Sequence, residues 1–418
     1  METSEVEIKD FKALSTYTGM VFTPSSPISD QKCFAGRKAQ LHRILDVIFN
    51  EGQHAILYGE RGVGKTSIAN ILHSVLSVTS DDKYLVSKIN CDSKDDFKTV
   101  WVKILRRVPF VLKESLIGFS SGIEEKIVNI GSLFENKSML TPEDIRMVGE
   151  LGSHLIFIFD EFDRIQNKDV SSLFADTIKN LSDYSSRVTI ILVGVADNIS
   201  ELIREHASIN RCMIQILMPR MERGELTEIL VSGSQKLQVN IDSHVIKRIV
   251  DLSQGLPHYT HLLARSAVRA ACERMDRNVV LEDLQKGIKL SIADAQHSTI
   301  AAYTQAISSQ KKNTWFKDVL LACALAPTDE LGLFAPSDVK PLLEKILKKQ
   351  AKLKSQNLEI SAFVKHLTDF SGKSRGEIFK KSGEKRKFRY RFSDPLMQPY
   401  VIMRGFDENL LSSEDFAE

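Results

Sequence analysis

His54-Ala-Ile-Leu-Tyr-Gly-Glu-Arg-Gly-Val-Gly-Lys-Thr-Ser67 is the stretch that decides the fold. A short β-prone run leads into Gly59-Glu60-Arg61-Gly62-Val63-Gly64-Lys65-Thr66-Ser67. A helical pattern follows, with Ile68, Ala69, Ile71, Leu72 and Val75 on its apolar side. The spacing of two glycines, a lysine and a threonine builds a phosphate cradle. Glycines let backbone N–H groups turn inward onto an anion, Lys65 reaches the β- and γ-phosphates, and the Thr66 hydroxyl can hold Mg²⁺. The helix that starts there offers the positive end of its dipole. A strand before and a helix after give the motif its context, and together they imply a bound nucleotide, ATP with Mg²⁺.

Working outward, Leu155-Ile-Phe-Ile-Phe-Asp-Glu161 is an unbroken apolar run that ends in two carboxylates. Such a run fits a strand buried on both faces of a parallel sheet. Open α/β sheets bind ligands in the crevice at the carboxyl ends of their strands. Asp160 suits the Mg²⁺ shell there, and Glu161 suits the polarising of an attacking water.

A chain of 418 residues exceeds one ordinary core, so two or three domains are expected. Hydrophobic residues at 43% and charged residues at 26% are in the globular range. No apolar run approaches the ~18 residues that span a bilayer, and the acidic start, Met1-Glu-Thr-Ser-Glu, has no secretory pattern. Cys33, Cys91, Cys212, Cys272 and Cys323 are scattered singly, without zinc-ligand spacing or a disulfide framework. These features point to a reducing, cytoplasmic setting and no membrane partner. The net charge of +2 hides an asymmetry: Val339 to Arg391 carries 16 Lys/Arg against 5 Asp/Glu, an excess of 11, and the remainder is near −9. A basic block in an acidic chain is either a polyanion footprint or a solvated lysine-rich face.

Residues 1 to 24 read as an extended arm that ends in the turn Thr23-Pro-Ser-Ser-Pro27. Residues 38 to 50 have helical spacing, Tyr84 to Asn90 reads as a strand, and 95 to 150 reads as helical and mixed, with a helix start at Thr141-Pro-Glu-Asp144. Asp169 to Leu181 reads as a helix and Val188 to Ala196 as a second buried strand. Strands alternating with helices imply a doubly wound parallel sheet. From Arg223 to about Thr299 the β signal disappears and amphipathic helices follow one another. Beyond Asn313 come three helices (315–326, 337–353 and 360–370), then Ile378-Phe-Lys-Lys and Phe388-Arg-Tyr-Arg-Phe flanking Ser382-Gly-Glu-Lys. Three helices and a basic β-hairpin are the order of a winged helix.

With these motifs in order, the chain resembles the AAA+ ATPases, and more narrowly the origin-recognition initiator clade. The resemblance covers about residues 30 to 404. It implies an arm (1–24), a P-loop α/β core (25–222), an all-α lid (223–300), a winged helix (311–405) and an acidic tail (406–418). Phe34-Ala-Gly-Arg37 resembles the family's short box near the adenine. Asp197 stands where the family has its sensor-1 polar residue, with Asn198 next to it. Ser208-Ile-Asn-Arg211 resembles the box with the arginine finger given to a neighbour's γ-phosphate, and Arg204 and Arg220 are rivals. Gly255-Leu-Pro-His258 stands at the lid's sensor-2 position, with His258 in place of arginine and Arg265 almost two turns further on.

The resemblance implies an ATP-hydrolysing switch that acts on DNA. Nucleotide lies between core and lid. Self-association supplies Arg211 in trans. The helix 360–370 and the wing residues Lys385, Arg386, Lys387 and Arg389 contact DNA. The alternatives are a signalling or defence ATPase, whose winged helix packs against a partner protein, and a target-selecting ATPase of a mobile element.

Overall fold

The computed structural model describes residues 10–28, 35–79, 84–115, 123–151, 154–184, 187–195, 209–309, 314–352, 358–384 and 387–411. The chain forms two units. One comprises Ile28–Gly59 and Gly64–Met218. The other comprises Met1–Pro27, Glu60–Val63 and Pro219–Glu418.

The first unit is built on a parallel sheet. Its strands are β1 (His54–Gly59), β2 (Tyr84–Asn90), β5 (His154–Asp160), β6 (Val188–Val195) and β7 (Met213–Leu217), in the order β2-β5-β6-β1-β7. Between them in the chain, β3 (Pro109–Ser115) and β4 (Ile123–Asn129) form a separate antiparallel hairpin. Leu155 to Asp160 are all buried, as are Val188 to Gly194, which is the two-sided burial expected of their apolar runs. Register sets the edge that matters: Gly59 pairs with Val195, and Asn90 with Asp160. The carboxyl ends of β1 and β6 therefore finish level with each other, as do those of β2 and β5, and the second pair ends about two residues short of the first because Phe159 pairs with Leu192. An aromatic cluster covers the sheet. Trp101 stacks on Phe174 and meets Phe157 and Phe159 edge-on, with ring centroids 5.2–5.5 Å apart.

One expectation is corrected in this unit. The stretch 95 to 150 does hold helices at Phe97–Leu105 and Pro142–Val148, the latter opened by a Thr141–Asp144 capping box. Its centre is the β3–β4 hairpin instead. Phe110 faces the core opposite Val128, while Val111 and Ile127 pair on the exposed side. The period-two alternation of Ile-Val-Asn and Phe-Val-Leu is too short to stand out among charged neighbours. β7 was also unread. Its alternating Met-Ile-Gln-Ile-Leu is a weak signal, and the strand exists because β1 offers it a parallel edge.

In the second unit, residues 11–21 are helical and not extended. Asp10 caps the helix Phe11–Val21 by accepting a hydrogen bond from the Lys12 N–H at 3.0 Å. Leu14, Thr18 and Val21 are buried, and Phe22 lies against Gly233, where an added Cβ would fall 2.3 Å from its ring. The partners are the helices Arg223–Leu237 and Pro257–Glu273 of a helical array that continues through Ser243–Ser253 and Leu281–Ala293. The C-terminal part has helices Phe316–Leu325, Pro336–Lys349 and Val364–Phe370, the last preceded by a 3₁₀ turn, Ile360–Ala362. Antiparallel strands Phe379–Ser382 and Arg389–Phe392 and a final helix, Met397–Asp407, follow. Phe334, Phe370, Phe379, Tyr390 and Phe392 form its core. Cys91, Cys212, Cys272 and Cys323 are buried free thiols. Among the described residues, no helix is long and apolar enough to cross a membrane.

Candidate nucleotide site

β1 runs straight into the glycine loop, and the helix Lys65–Thr79 runs out of it. The backbone shows why glycine is needed. Gly62 and Gly64 have φ of 86° and 96°, which L side chains rarely adopt. Gly59 is required for a different reason: a Cβ there would lie 2.3 Å from the Met218 carbonyl oxygen. A Cβ at Gly64 would meet nothing within 4 Å, so the loop bends around open space.

Two segments 94 residues apart in sequence meet at this point. Thr66 Oγ1 donates to Asp160 Oδ1 at 3.4 Å, and the Glu161 N–H donates to the same oxygen at 3.0 Å. Lys65 Nζ donates to the Gly59 carbonyl at 3.1 Å, folded back over the loop that it serves. Asp160 is buried, at 1% exposure. Its Oδ2 has Lys88 Nζ at 2.9 Å as an ion-pair partner but no hydrogen bond. A buried carboxylate oxygen without a hydrogen bond, beside a threonine hydroxyl, is a fitting donor set for Mg²⁺, which keeps waters and phosphate oxygens as its other ligands. Among the described residues no group of three or more His, Cys, Asp or Glu could hold a metal ion.

Glu161 follows at φ 55°, in the left-handed region that an unbranched glutamate enters only at some cost. Its side chain is partly exposed and pairs with Arg164 at 2.9 Å. Asp163, which no motif marks, accepts from the Val195 N–H at 3.1 Å and fixes the end of β6. No motif marks Lys88 either. Nothing local in β2 announces that its ammonium reaches Asp160; register alone brings them together.

The remaining expectations divide. Phe34, Asp197, Asn198, Arg204, Lys385 and Arg386 lie outside the described residues. Arg37 is 1% exposed, with φ 59°, at the start of the helix Lys38–Phe49. Arg211 is exposed and forms an ion pair with Asp183 of its own unit. In the other unit, His258 Nδ1 lies 2.7 Å from the Pro24 carbonyl, and burial holds its imidazole below the usual range. Its ring is therefore neutral and engaged by backbone. Arg265 lies further along the same helix, partly buried. Arg220, a rival finger, forms a fork with Glu60: Nε to Oε2 at 2.5 Å and Nη2 to Oε1 at 3.1 Å. Its Nη1 also donates to Gln398 Oε1 at 2.6 Å. The Lys387 N–H donates to the Glu384 carbonyl at 2.9 Å, and Arg389 pairs with Asp329 at 2.8 Å.

Comparison with known proteins places the chain in a family and gives its similarities of fold. The family model described as Novel STAND NTPase 1 matches residues 22–322. An ORC1-type DNA replication protein of Picrophilus torridus is 26% identical over 160 residues, 38% of this chain and 34% of that protein. The match thus spans about a third of the curated relative's length. Among solved structures, a Walker-type ATPase of Pyrococcus abyssi superposes with a TM-score of 0.54 at 15% identity, over 91% of this chain and 99% of that one. The Orc1 protein of Aeropyrum pernix in complex with DNA matches with a TM-score of 0.48 at 15% identity, over 94% and 97% of the two chains.

Proposed function

As this chain belongs to the Novel STAND NTPase 1 family, we propose that it is an ATP-hydrolysing switch of the replication-initiator type that acts on DNA through a C-terminal winged helix. The observation that carries the reading is the meeting of Thr66 with Asp160 at the mouth of the glycine loop. Lys65 and the loop N–H groups hold the phosphates, and Thr66 and Asp160 hold Mg²⁺. A Mg²⁺ ion held there would supply charge neutralisation at the transferred phosphoryl group. Glu161 leaves Arg164 and orients the water. Such catalysis consists mostly of positioning and electrostatic stabilisation. Arg211, exposed and paired with Asp183 at the surface of its own unit, is offered to a second copy, so turnover is slow in the monomer and rises on assembly. The order of three helices and a hairpin supports the winged-helix reading, in which residues 360–370 and the wing residues Lys385, Arg386, Lys387 and Arg389 are the proposed DNA contacts.

One observation favours the second reading, a signalling or defence ATPase in which the nucleotide is a latch. Arg220 ties Glu60 of the glycine loop to Gln398 of the final helix. A joint of this kind links loop to C-terminal region without DNA.

The deciding experiment is ATP turnover with and without duplex DNA, on wild type, Lys65→Ala, Glu161→Gln and Arg211→Ala. The DNA switch is supported by turnover that DNA stimulates and that all three substitutions abolish. Turnover indifferent to DNA favours the latch. Full activity in Arg211→Ala removes the finger in trans.

A further inference from the structure

A second concavity in the sheet-bearing unit is unlike the nucleotide loop. It has a volume of about 910 Å³ and lies along edge strand β2, between the helices Lys65–Thr79 and Phe97–Leu105. That volume is in the range of small-ligand sites. Its lining includes Lys88, Lys103, Arg106, Arg107 and His73, and none of its nine lining residues is acidic. The neutral polar side chains among them are amides and a hydroxyl, all able to donate.

The cations arrive from different elements, which distinguishes them from an ordinary charged helix face. Lys103 belongs to the last turn of its helix, where a cation complements the dipole, and it pairs with Asp92 and Asp95. Arg106 pairs with Glu135 at 2.9 Å. Arg107 comes from the turn beyond and donates to the Lys88 backbone carbonyl. Lys88 comes from the strand, and its side chain is only 13% exposed. The carboxylates that pair with this group are not among the lining residues, so the cavity wall itself carries cations and amides and no acid. Like charges held this close favour a ligand with several negative oxygens, and guanidinium forks match tetrahedral phosphate.

Lys88 also joins this cavity to the nucleotide site, since its ammonium contacts Asp160 Oδ2 on one side and Asn70 of the cavity lining on the other. We propose that the β2-edge cavity binds a phosphate-bearing anion, either the backbone of a nucleic-acid strand or a free oligophosphate, and that its occupant competes with Asp160 for Lys88. Drawing Lys88 away exposes Asp160 to Mg²⁺, so occupancy of the cavity tightens metal binding at the nucleotide loop. This coupling rests on the reading of Asp160 as the magnesium carboxylate. Anion binding itself does not.

The test uses the full chain in the Lys65→Ala background, which disables the glycine loop as a phosphate site. Binding of inorganic pyrophosphate is measured by calorimetry and of a fluorescent twelve-residue oligothymidylate by anisotropy. Both are repeated after adding Arg106→Gln and Arg107→Gln, two exposed positions whose loss spares the core. A tenfold or greater loss of affinity is expected. Loss for pyrophosphate alone assigns a free oligophosphate, and loss for the oligonucleotide assigns a strand backbone. Unchanged affinity for both probes, or no saturable binding of either, overturns the site. Coupling is read in wild type as the Mg²⁺ concentration needed to bind a fluorescent ATP analogue, which the oligonucleotide should lower in wild type and leave unaltered in Lys88→Gln. The same Mg²⁺ requirement with and without oligonucleotide in wild type overturns the coupling. Failure of the analogue to bind at all counts against the nucleotide reading and leaves the anion-binding result standing.

Discussion

Glu161 shows how much one backbone angle can do. Its left-handed φ breaks the alternation of β5, so that Asp160 stays buried while the next carboxylate reaches solvent. Glu161→Gln should therefore keep the affinity for a nucleotide analogue and lose roughly 100-fold or more in turnover, the range for removing a group that steers proton transfer. Fluorescence titration beside a phosphate-release assay checks this, and a parallel fall in both quantities would contradict the role. Two histidines make a second residue-scale prediction. Burial pushes His54 down to about 3 and His261 down to about 4, and His54 Nδ1 accepts from the Ile190 N–H at 3.0 Å. Both rings are neutral when folded, so the unfolded chain takes up protons first as pH falls. Their stabilisation is complete above the ordinary histidine value of about 6.5 and is lost on descending from there toward 4 and 3. The slope is on the order of 1 kcal/mol per pH unit for each ring. Urea midpoints should drop between pH 7 and pH 5, and equal midpoints would refute the argument.

At the scale of elements, the glycine loop is held by what surrounds it as much as by its own composition. Gly59→Ala drives a methyl group into the Met218 carbonyl, which follows the end of β7. Backbone cannot step aside as a flexible side chain can. The variant is expected to lose nucleotide binding while circular dichroism shows the helices intact. Trp101, fully buried among Phe97, Phe157, Phe159 and Phe174, anchors the helix Phe97–Leu105 to the sheet. Trp101→Ala should cost about 3–5 kcal/mol, read as a shift of the denaturation midpoint. Long apolar strands such as β5 and β6 were legible because burial on both faces leaves an unbroken apolar run. The β3–β4 hairpin and β7 were not, because a short strand with one exposed face is specified mostly by its partner's edge.

At the scale of the whole molecule, charge is segregated along the chain, and the excess of 11 over Val339 to Arg391 belongs to the C-terminal part of the second unit. If that block meets DNA, the logarithm of the binding constant falls with the logarithm of salt concentration by about 0.9 per phosphate neutralised. Lys387→Ala with Arg389→Ala should flatten the slope by up to roughly two contacts' worth, measured by anisotropy with a labelled duplex. An unaltered slope removes the wing from the DNA reading. Phe22 makes a prediction for the same unit. It fills the space left by Gly233, so Phe22→Ala should destabilise the helical array by about 3–5 kcal/mol, detectable as a lower thermal midpoint.

The glycine loop between strand and helix, the buried carboxylate strand, the alternation of strand and helix and the order of three helices and a hairpin near the C-terminus were all determined by the sequence alone. Each is written in local spacing or in an unbroken apolar run, which burial and backbone geometry translate directly. Tertiary structure alone decided that Lys88 reaches Asp160, that Arg220 grips Glu60, that residues 11 to 21 coil into a helix and that basic side chains from separate elements converge along β2. Those outcomes depend on strand register and on which surfaces remain to be covered. Such quantities arise only when distant segments meet, and no window of the chain encodes them.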